Sequence, residues 1–489
     1  MSKDLSRNEK ICYSEISSYS LYLLKSFNIF DNQPMLMLRV LYPLLAAVFI
    51  ANLFITPYAR ADGTADLYRP RGIKDESVRD DSTHDKPVEE YKPLEAPREE
   101  VDRAPDSVQE QISDVDKTKK SIIEYDPFSF ITKPWRKYNS KLKDAIGLKF
   151  ALAYTALYQV ANRATQGERR NQAAGAIWDF TGLWTVLPRK WGNPGYIGFR
   201  SRSKHRLFTD IPPNDLAGEI GSLWSTAAFF TVDNFAVSQL WWEQHLFDDK
   251  LIFRVGKLDQ SDYIDSFSFS SSKLFFINSA FSDNPTIPFP GNGLGAAALI
   301  QPNDFFYVLG SLGDANGDSS TFEFDTFFND QEFFTGVEAG ILPKINSLGK
   351  GNYHVALWHS DGSKKNNAPS GSGMAITFKQ QLRNYYDVFL RYSFSNGKVT
   401  NVKQVLSGGV GVYDPLYLGM KDNLLGLAIA WGEPEVQDLR AQYVVETFLR
   451  LQVFKSMQVT PDIQLILSPS NAPDENIVAV FGLRFRFVF

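Results

Sequence analysis

The chain has 489 residues, of which 44% are hydrophobic and 14% aromatic, and its formal net charge is −5. This composition excludes a wholly disordered chain, and the weakly acidic balance argues against a nucleic-acid-binding protein. The only cysteine, Cys12, excludes a disulfide framework and a cysteine-based metal cluster. We therefore expect neither a cofactor nor a bound metal.

The charge distribution divides the chain into three segments. Residues 1–61 carry six basic and four acidic residues, residues 62–120 carry 11 and 17, and residues 121–489 carry 34 and 35. The middle segment has no Phe and no Trp, whereas all nine Trp lie beyond it. The net charge therefore comes almost entirely from an aromatic-poor middle segment.

The first segment, residues 1–61, is predicted to be a signal-peptide region. An uncharged apolar run over residues 40–55 follows Arg39 and precedes an Ala-x-Ala sequence, which is the order of a secretory signal. A membrane-anchoring helix is the alternative, but it needs about 17–25 apolar residues and has no cleavage site. We predict cleavage after Ala61, and a start at Met35 or Met37 would give a signal of ordinary length.

Residues 62–125 are predicted to be an acidic, proline-containing periplasmic linker that is disordered or partly helical. The segment has too few apolar residues to offset the chain entropy lost on folding. One pattern favours a helix, because Val101, Val108, Val115 and Ile122 recur every seven residues, as in one seam of a short coiled coil. A flexible tether and an oligomerising helix therefore both stay open.

From about residue 145 onward, alternation with a period of two predominates, as expected of β-strands. The last segment is the clearest case. Its odd-numbered positions from Ile477 to Phe489 are all apolar, whereas its even-numbered positions include Arg484 and Arg486. Three further segments alternate in the same way: residues 198–206, 386–395 and 445–454.

This pattern is typical of a transmembrane β-barrel. No apolar run after the signal region approaches the length of a membrane helix. Residues 121–489 provide about 23 residues for each of 16 strands, enough for a strand, a short turn and a longer loop. We therefore predict an all-β fold, a transmembrane antiparallel β-barrel of 16 strands over residues 126–489, in a Gram-negative type of outer membrane. The aromatic Phe489 closes the last strand, as is common in bacterial outer-membrane proteins.

Several sequence blocks, in this order, resemble the OprB-type carbohydrate-selective porins. They are Gly192–Arg200, Leu240–Gln244, Arg254–Asp259, Phe281 with Asn284-Pro285, Gly293–Gly295, Pro461–Leu465 and Phe481–Arg484. The resemblance runs from about residue 147 to the end of the chain. It implies a barrel of 16 strands that passes small sugars such as glucose by diffusion through a narrow charged constriction, without catalysis. The acidic segment 62–120 is not part of the family pattern.

A sugar pore needs weak, well-placed partners for a polyhydroxyl solute. Arg and Lys donate to hydroxyl groups, Asp and Glu accept from them, and an aromatic face covers the apolar side of the sugar ring. Opposed charges in a narrow lumen also orient polar solutes. The predicted substrate-binding residues of the constriction are Arg200, Trp241, Glu243, Arg254, Lys257 and Asp259; the alternative for each charged residue is an ordinary lumen position away from the constriction.

Strand alternation predicts which side chains around Glu243 face the lumen and which face lipid. Trp241, Glu243 and His245 share one face, and this face should line the lumen because a carboxylate is costly in lipid. Trp242 should then face lipid, where an aromatic residue belongs to the interface girdle.

Two features near the predicted constriction are irregular. Arg254 and Lys257 lie three residues apart and cannot share a face of a regular strand, so Gly256 is predicted to mark a bulge that turns both inward. The loop Asn278–Gly293 contains three prolines. It is a candidate constriction loop, with an ordinary external loop as the alternative.

The expected partners are mono- and small oligosaccharides, outer-membrane lipids, and the barrel assembly machinery through Phe489. A homotrimer is one assembly that the fold allows, and nucleic acid is not expected. The alternatives to a sugar porin are a general or ion-selective diffusion porin, an outer-membrane barrel hydrolase, and a soluble exported sugar-binding β-protein. The hydrolase has little support, because His354 and His359 would lie on opposite faces of one strand and no nucleophile motif stands out.

Overall fold

The computed structural model describes residues 101, 104–117, 119–322, 324–346, 348–383 and 385–489. The predicted signal region and most of the predicted linker lie outside the described residues.

Sixteen antiparallel strands form a closed barrel, which confirms the predicted fold. Each strand pairs with its neighbours in the sequence, and the first strand also pairs with the last, which closes the sheet. A two-residue segment, Lys344–Ile345, continues the eighth strand along the ninth. The strands are β1 Leu148–Ala161, β2 Gln172–Leu187, β3 Gly195–Arg206, β4 Asp233–Leu246, β5 Leu251–Leu258, β6 Gly293–Ile300, β7 Phe306–Asp314, β8 Phe333–Ile341, β9 Gly349–Ser360, β10 Gly371–Leu382, β11 Tyr386–Asn396, β12 Val402–Tyr413, β13 Leu424–Pro434, β14 Gln442–Phe454, β15 Met457–Leu467 and β16 Ile477–Val488.

The alternation read from the sequence corresponds to the two faces of the barrel wall. In β16, Arg484 and Arg486 face the interior and are buried, whereas Phe481 and Leu483 face outward and are exposed. Charged residues are costly on a lipid-facing surface, whereas apolar residues are stable there. The wall is therefore apolar outside and polar inside.

The two ends of the barrel differ in the length of their connections. At the end that holds the start of β1 and the end of β16, here called the turn end, the connections have 2–10 residues. At the opposite end, here called the loop end, residues 207–232 and residues 259–292 form the two longest connections. Short turns face the periplasm and long loops face outward in barrels of this kind.

Helices are few and most are short. The α-helices of the described residues are α1 Val108–Asp116, α2 Ser129–Ile146, α3 Leu216–Ile220 and α4 Ser279–Ser282; the 3-10 helices are Arg189–Trp191, Pro213–Asp215 and Gln260–Asp262, and residues Thr326–Asp330 form a π-helical turn. Among these described helices, none has both the length and the apolar character required to cross a membrane.

Loop 259–292 folds into the barrel and forms much of its apolar core. Phe267, Phe269 and Phe276 of the loop are fully buried and pack on Phe389 and Phe448 of the wall. Aromatic pairs of this kind stabilise beyond their buried area. The loop is therefore a packed element that fills part of the lumen, so the barrel interior is not an open cylinder.

The end of the predicted linker enters the lumen as helix α1. Val101, Val108 and Val115, which recur every seven residues, are 8%, 1% and 9% exposed. Val108 and Val115 pack with inward-facing residues of the wall. The seam therefore faces the barrel in this structure and not a second helix. Ile122, the fourth residue of the repeat, is 44% exposed.

Between α1 and β1 the chain crosses the rim at the turn end. The amides of Ile122 and Ile123 donate to the carbonyls of Gln452 and Val453, in the last turn-end residues of β14. Phe128 then packs edge-to-face on Phe487, an outward-facing residue of β16. Helix α2 follows, and it contacts β1.

Candidate functional site

The predicted constriction residues lie on neighbouring strands. Tyr196 of β3 pairs with Glu243 of β4, and Glu243 pairs with Arg254 of β5. Trp241 and Glu243 face the lumen and are buried. Trp242 lies on the opposite face of β4, as the alternation predicts.

Glu243 is the centre of a hydrogen-bonded charge network. Nε of Arg254 donates to Oε2 of Glu243 at 2.9 Å, and the ring of His245 contacts Oε1 of Glu243 at 2.9 Å. The Arg254 guanidinium lies 3.9 Å from the centre of the Trp241 ring and donates to the hydroxyl of Tyr263 at 2.8 Å. These contacts offset the cost of burying two charges and fix both side chains.

Arg200 has very different surroundings. It is fully buried, and none of its three guanidinium nitrogens has a hydrogen-bond partner among the residues that the structure describes. It lines a cavity together with Arg202, Asp259 and Asp262. A buried guanidinium without a hydrogen-bond partner is costly.

A pair of β-bulges lies beside Arg200. The pairing of β3 with β4 shifts between Arg200 and Ser201 and again between Arg202 and Lys204. Bulges bend a strand and change the direction of its side chains. The β-bulges therefore lie in the pairing of β3 with β4, whereas the sequence predicted a bulge at Gly256 of β5.

The predicted bulge at Gly256 is wrong. Pairing with β4 and β6 continues through this residue without a shift. Its φ of +139° suits glycine, and an added Cβ would lie 2.3 Å from the carbonyl oxygen of Leu240. Gly256 therefore permits close approach of β4.

Lys257 consequently does not join Arg254 on the same face. Its ammonium donates to the carbonyl oxygens of Ser319 and Thr321, in the connection between β7 and β8. Lys257 therefore contacts the connection between β7 and β8.

The carboxylates at the start of loop 259–292 lie close to Arg200. Asp259 accepts hydrogen bonds from the amide and hydroxyl of Ser261, at 3.2 and 2.6 Å. Asp262 accepts a hydrogen bond from the side-chain amide, Nε2, of Gln239 at 2.8 Å. Burial, together with the nearby negative charge of Asp259, raises the pKa of Asp262 to about 6. Asp262 therefore titrates closer to neutral pH than an ordinary aspartate.

The sequence interpretation missed a second charge cluster. Asp179 of β2 pairs with Arg202 at 2.7 Å and with Lys273 of loop 259–292 at 2.7 Å, and Lys273 also lies 3.1 Å from Asp106. Arg202 belongs to the basic alternating segment, so strand alternation could have found it. The positions of Lys273 and Asp106 depend on how two irregular segments fold, which strand periodicity does not predict.

Loop 259–292 is anchored by charged residues of the wall. Arg484 donates to the carbonyl oxygens of Ser272 and Phe275, at 2.7 and 2.8 Å. Glu446 accepts from the amides of Ile277 and Asn278, at 2.5 and 3.0 Å. The predicted constriction loop Asn278–Gly293 is thus the second half of a longer loop that is fixed inside the barrel.

The site offers donors, acceptors and an aromatic face. Within the part of the chain that the structure describes, no group of His, Cys, Asp and Glu residues is placed to hold a metal ion. Opposed charges in a low-dielectric lumen orient a polar solute. The arrangement suits selective passage through a pore.

A closed antiparallel barrel of sixteen strands, with an apolar exterior and a loop folded across a charged lumen, defines an outer-membrane porin, a channel. A family model described as the carbohydrate-selective porin, OprB family, matches residues 218–489. The chain belongs to this family.

Individual relatives are more distant. The chain is 26% identical over 219 residues to Porin AaxA of Chlamydia abortus, covering 43% of this chain and 48% of the relative. It is 24% identical over 275 residues to Porin AaxA of Chlamydia muridarum, covering 55% and 59%. The chain spans about half the length of the curated relatives it matches.

A solved structure supports the fold. The structure of Pseudomonas putida OprB at high pH superimposes with a TM-score of 0.59 and 15% sequence identity, covering 73% of this chain and 97% of that one. At this identity the likeness concerns the fold.

Proposed function

We propose that this porin mediates passive, carbohydrate-selective diffusion of small sugars through the constriction between β3, β4, β5 and loop 259–292. The observation that carries the proposal is the buried guanidinium of Arg200, which has no hydrogen-bond partner among the described residues and lies beside Asp259 and Asp262. Donors and acceptors on opposite sides can replace the hydration of a polyhydroxyl solute and still release it. The family to which the chain belongs is described as carbohydrate-selective.

Liposome swelling tests the selectivity. Monosaccharides and disaccharides are compared with amino acids of equal size, and the ratio of their rates is measured because it does not depend on the fraction of channels that are open. We expect sugars to enter faster. Equal rates would replace the proposal with a general diffusion porin, and ion flux without solute swelling would indicate an ion-selective one.

The site itself is tested by sugar block of the ion current in planar bilayers. Arg200→Ala should weaken block by about tenfold or more, because a hydrogen bond to a charged group is worth about 1.5–3 kcal/mol. Glu243→Gln should also weaken it, since it removes the charge that fixes Arg254. Arg206→Ala is the matched control, since Arg206 lies at the exposed loop end of β3. Unchanged block in Arg200→Ala and Glu243→Gln would remove both residues from the constriction.

Export and assembly complete the proposal. Cleavage after Ala61 is tested by sequencing the amino terminus of the protein purified from outer membranes. The proposed partners are mono- and small oligosaccharides, outer-membrane lipids, and the assembly machinery that would recognise Phe489. Native mass measurement in detergent distinguishes a homotrimer from a single barrel.

A further inference from the structure

Val101 and residues 104–117 lie inside the barrel, across the path of a solute. Ala104, Val108 and Ile112 are 3%, 1% and 5% exposed. The apolar side of α1 packs on inward-facing residues of β1, β2 and β3, among them Ala151 and Leu183. A water-filled lumen would otherwise cover these wall residues with solvent.

The polar side of the same segment bonds to the charged groups of the lumen. Asp106 lies 3.1 Å from Lys273. Nε2 of Gln109 donates to Glu243 at 3.1 Å, so the segment contacts the centre of the constriction network directly.

A second set of contacts fixes the other end of α1. Arg486 of β16 donates to Gln111 at 2.9 Å and to Asp114 at 3.1 Å. Lys119, just after the helix, lies 2.8 Å from Asp114. The segment is thus held from the constriction down to the turn end.

Little space remains around the segment. Ala104 and Asp106 line the Arg200 cavity, whose volume is about 20 Å³. Val101, Ser107 and Gln109 line a second cavity of about 70 Å³ beside Glu243 and Arg254. Side chains of the segment form one wall of each space, so the segment narrows the passage beside Arg200 and beside Glu243.

We propose that residues 104–117, together with Val101, are an internal plug that closes the channel to sugar-sized solutes, and that the pore opens when the plug withdraws toward the turn end. Withdrawal in that direction follows from the path of the chain, which crosses the turn-end rim through Ile122 and Ile123. The charged groups that the plug contacts, such as Glu243 and Arg486, would then be hydrated. Barrels plugged by a helix or by loops are physically feasible because the wall is closed by its own strands.

Two deletions test the plug. Removal of residues 62–117 should raise single-channel conductance in potassium chloride severalfold, and should speed swelling for sugars and amino acids alike. Removal of residues 62–100 is the matched control, since it keeps the plug, and should leave conductance unchanged. Equal conductance in both deletions and the full chain overturns the proposal. An increase in both deletions assigns closure to the upstream segment and also overturns it.

A point variant decides the question if the longer deletion does not assemble. Ile112→Asp buries a charge against apolar wall residues and should loosen the plug, raising conductance, whereas Lys117→Asp at an exposed position should not. Heat-modifiable gel mobility shows that each barrel is folded. A folded Ile112→Asp channel with unchanged conductance overturns the proposal. Ionic conductance needs no sugar, so this outcome is independent of carbohydrate selectivity.

Discussion

Arg200 and Arg254 are both buried lumen arginines, yet their surroundings separate their roles. The guanidinium of Arg254 is satisfied by Glu243 and Tyr263 and stacks on Trp241. Arg200 has no such partners in the described residues. Because a satisfied guanidinium has little left to donate, we propose that Arg254 and Glu243 fix each other and that Arg200 contacts the solute.

Asp262 should make ion selectivity depend on pH. Burial and the neighbouring Asp259 raise the pKa of Asp262 to about 6, so the carboxyl is charged above that pH and neutral below it. As pH falls through about 6, the constriction loses one negative charge and anion permeability should rise relative to cation permeability. Reversal potentials across a salt gradient measure this ratio.

The predicted change in the permeability ratio forms a step near pH 6, and three variants identify the group responsible for that step. Asp262→Asn should abolish it, and Asp259→Asn should move its midpoint to lower pH, because a repulsive charge is removed. Asp330→Asn, at an exposed loop position, should leave the profile as it is. A step near pH 6 that persists in Asp262→Asn would show that another group titrates there.

At the scale of elements, loop 259–292 depends on wall residues far away in the sequence. Glu446→Ala leaves the amides of Ile277 and Asn278 without an acceptor, at a cost of about 1–3 kcal/mol for each buried donor. The loop should detach more often from the wall, which widens the constriction and raises conductance.

Limited trypsin digestion measures the detachment of loop 259–292 directly. Lys273 is the single trypsin site between residues 259 and 292, and it is buried. Glu446→Ala should speed cleavage after Lys273, whereas Glu433→Gln, near the loop end and paired with Lys403, should not. Equal cleavage in Glu446→Ala and the unmodified chain would mean that Arg484 and the aromatic core suffice to hold the loop.

The elements also show what the sequence could predict. Alternation identified the strands and the inward face of Arg200 and Glu243, because each strand has one lipid face and one lumen face. It could not predict how loop 259–292 folds, since the Phe residues of that loop pack on wall positions more than a hundred residues away. The valine repeat was visible, but its partner was the barrel wall.

At the scale of the whole molecule, a single barrel can extend from Leu148 to Val488 because its centre does not need to be one continuous apolar core. Loop 259–292 and residues 104–117 occupy part of the lumen instead. The net charge of −5 is therefore a poor guide to the pore. Local pairs such as Asp179 with Arg202 determine the field there.

Closure of the barrel joins segments from opposite ends of the described chain, and Phe489 lies at this seam. Nine residue pairs connect β1 with β16, from Ala153 with Val488 to Ala161 with Val480. Beyond them, the amide of Phe489 donates to Leu152 at 2.9 Å, and its side chain is 3% exposed. Such distant pairing forms slowly because loop-closure entropy opposes it.

Phe489→Ala should therefore lower the yield of closed barrel, since truncation of a buried Phe costs about 3–5 kcal/mol. The heat-modifiable fraction in outer membranes measures this yield, with Phe481→Ala on the lipid face of the same strand as the control. Refolding into detergent without cellular factors separates two causes. A loss in membranes and in detergent means that Phe489 stabilises the seam, whereas a loss in membranes alone means that the assembly machinery recognises it. Unchanged yield in both settings would remove Phe489 from both roles.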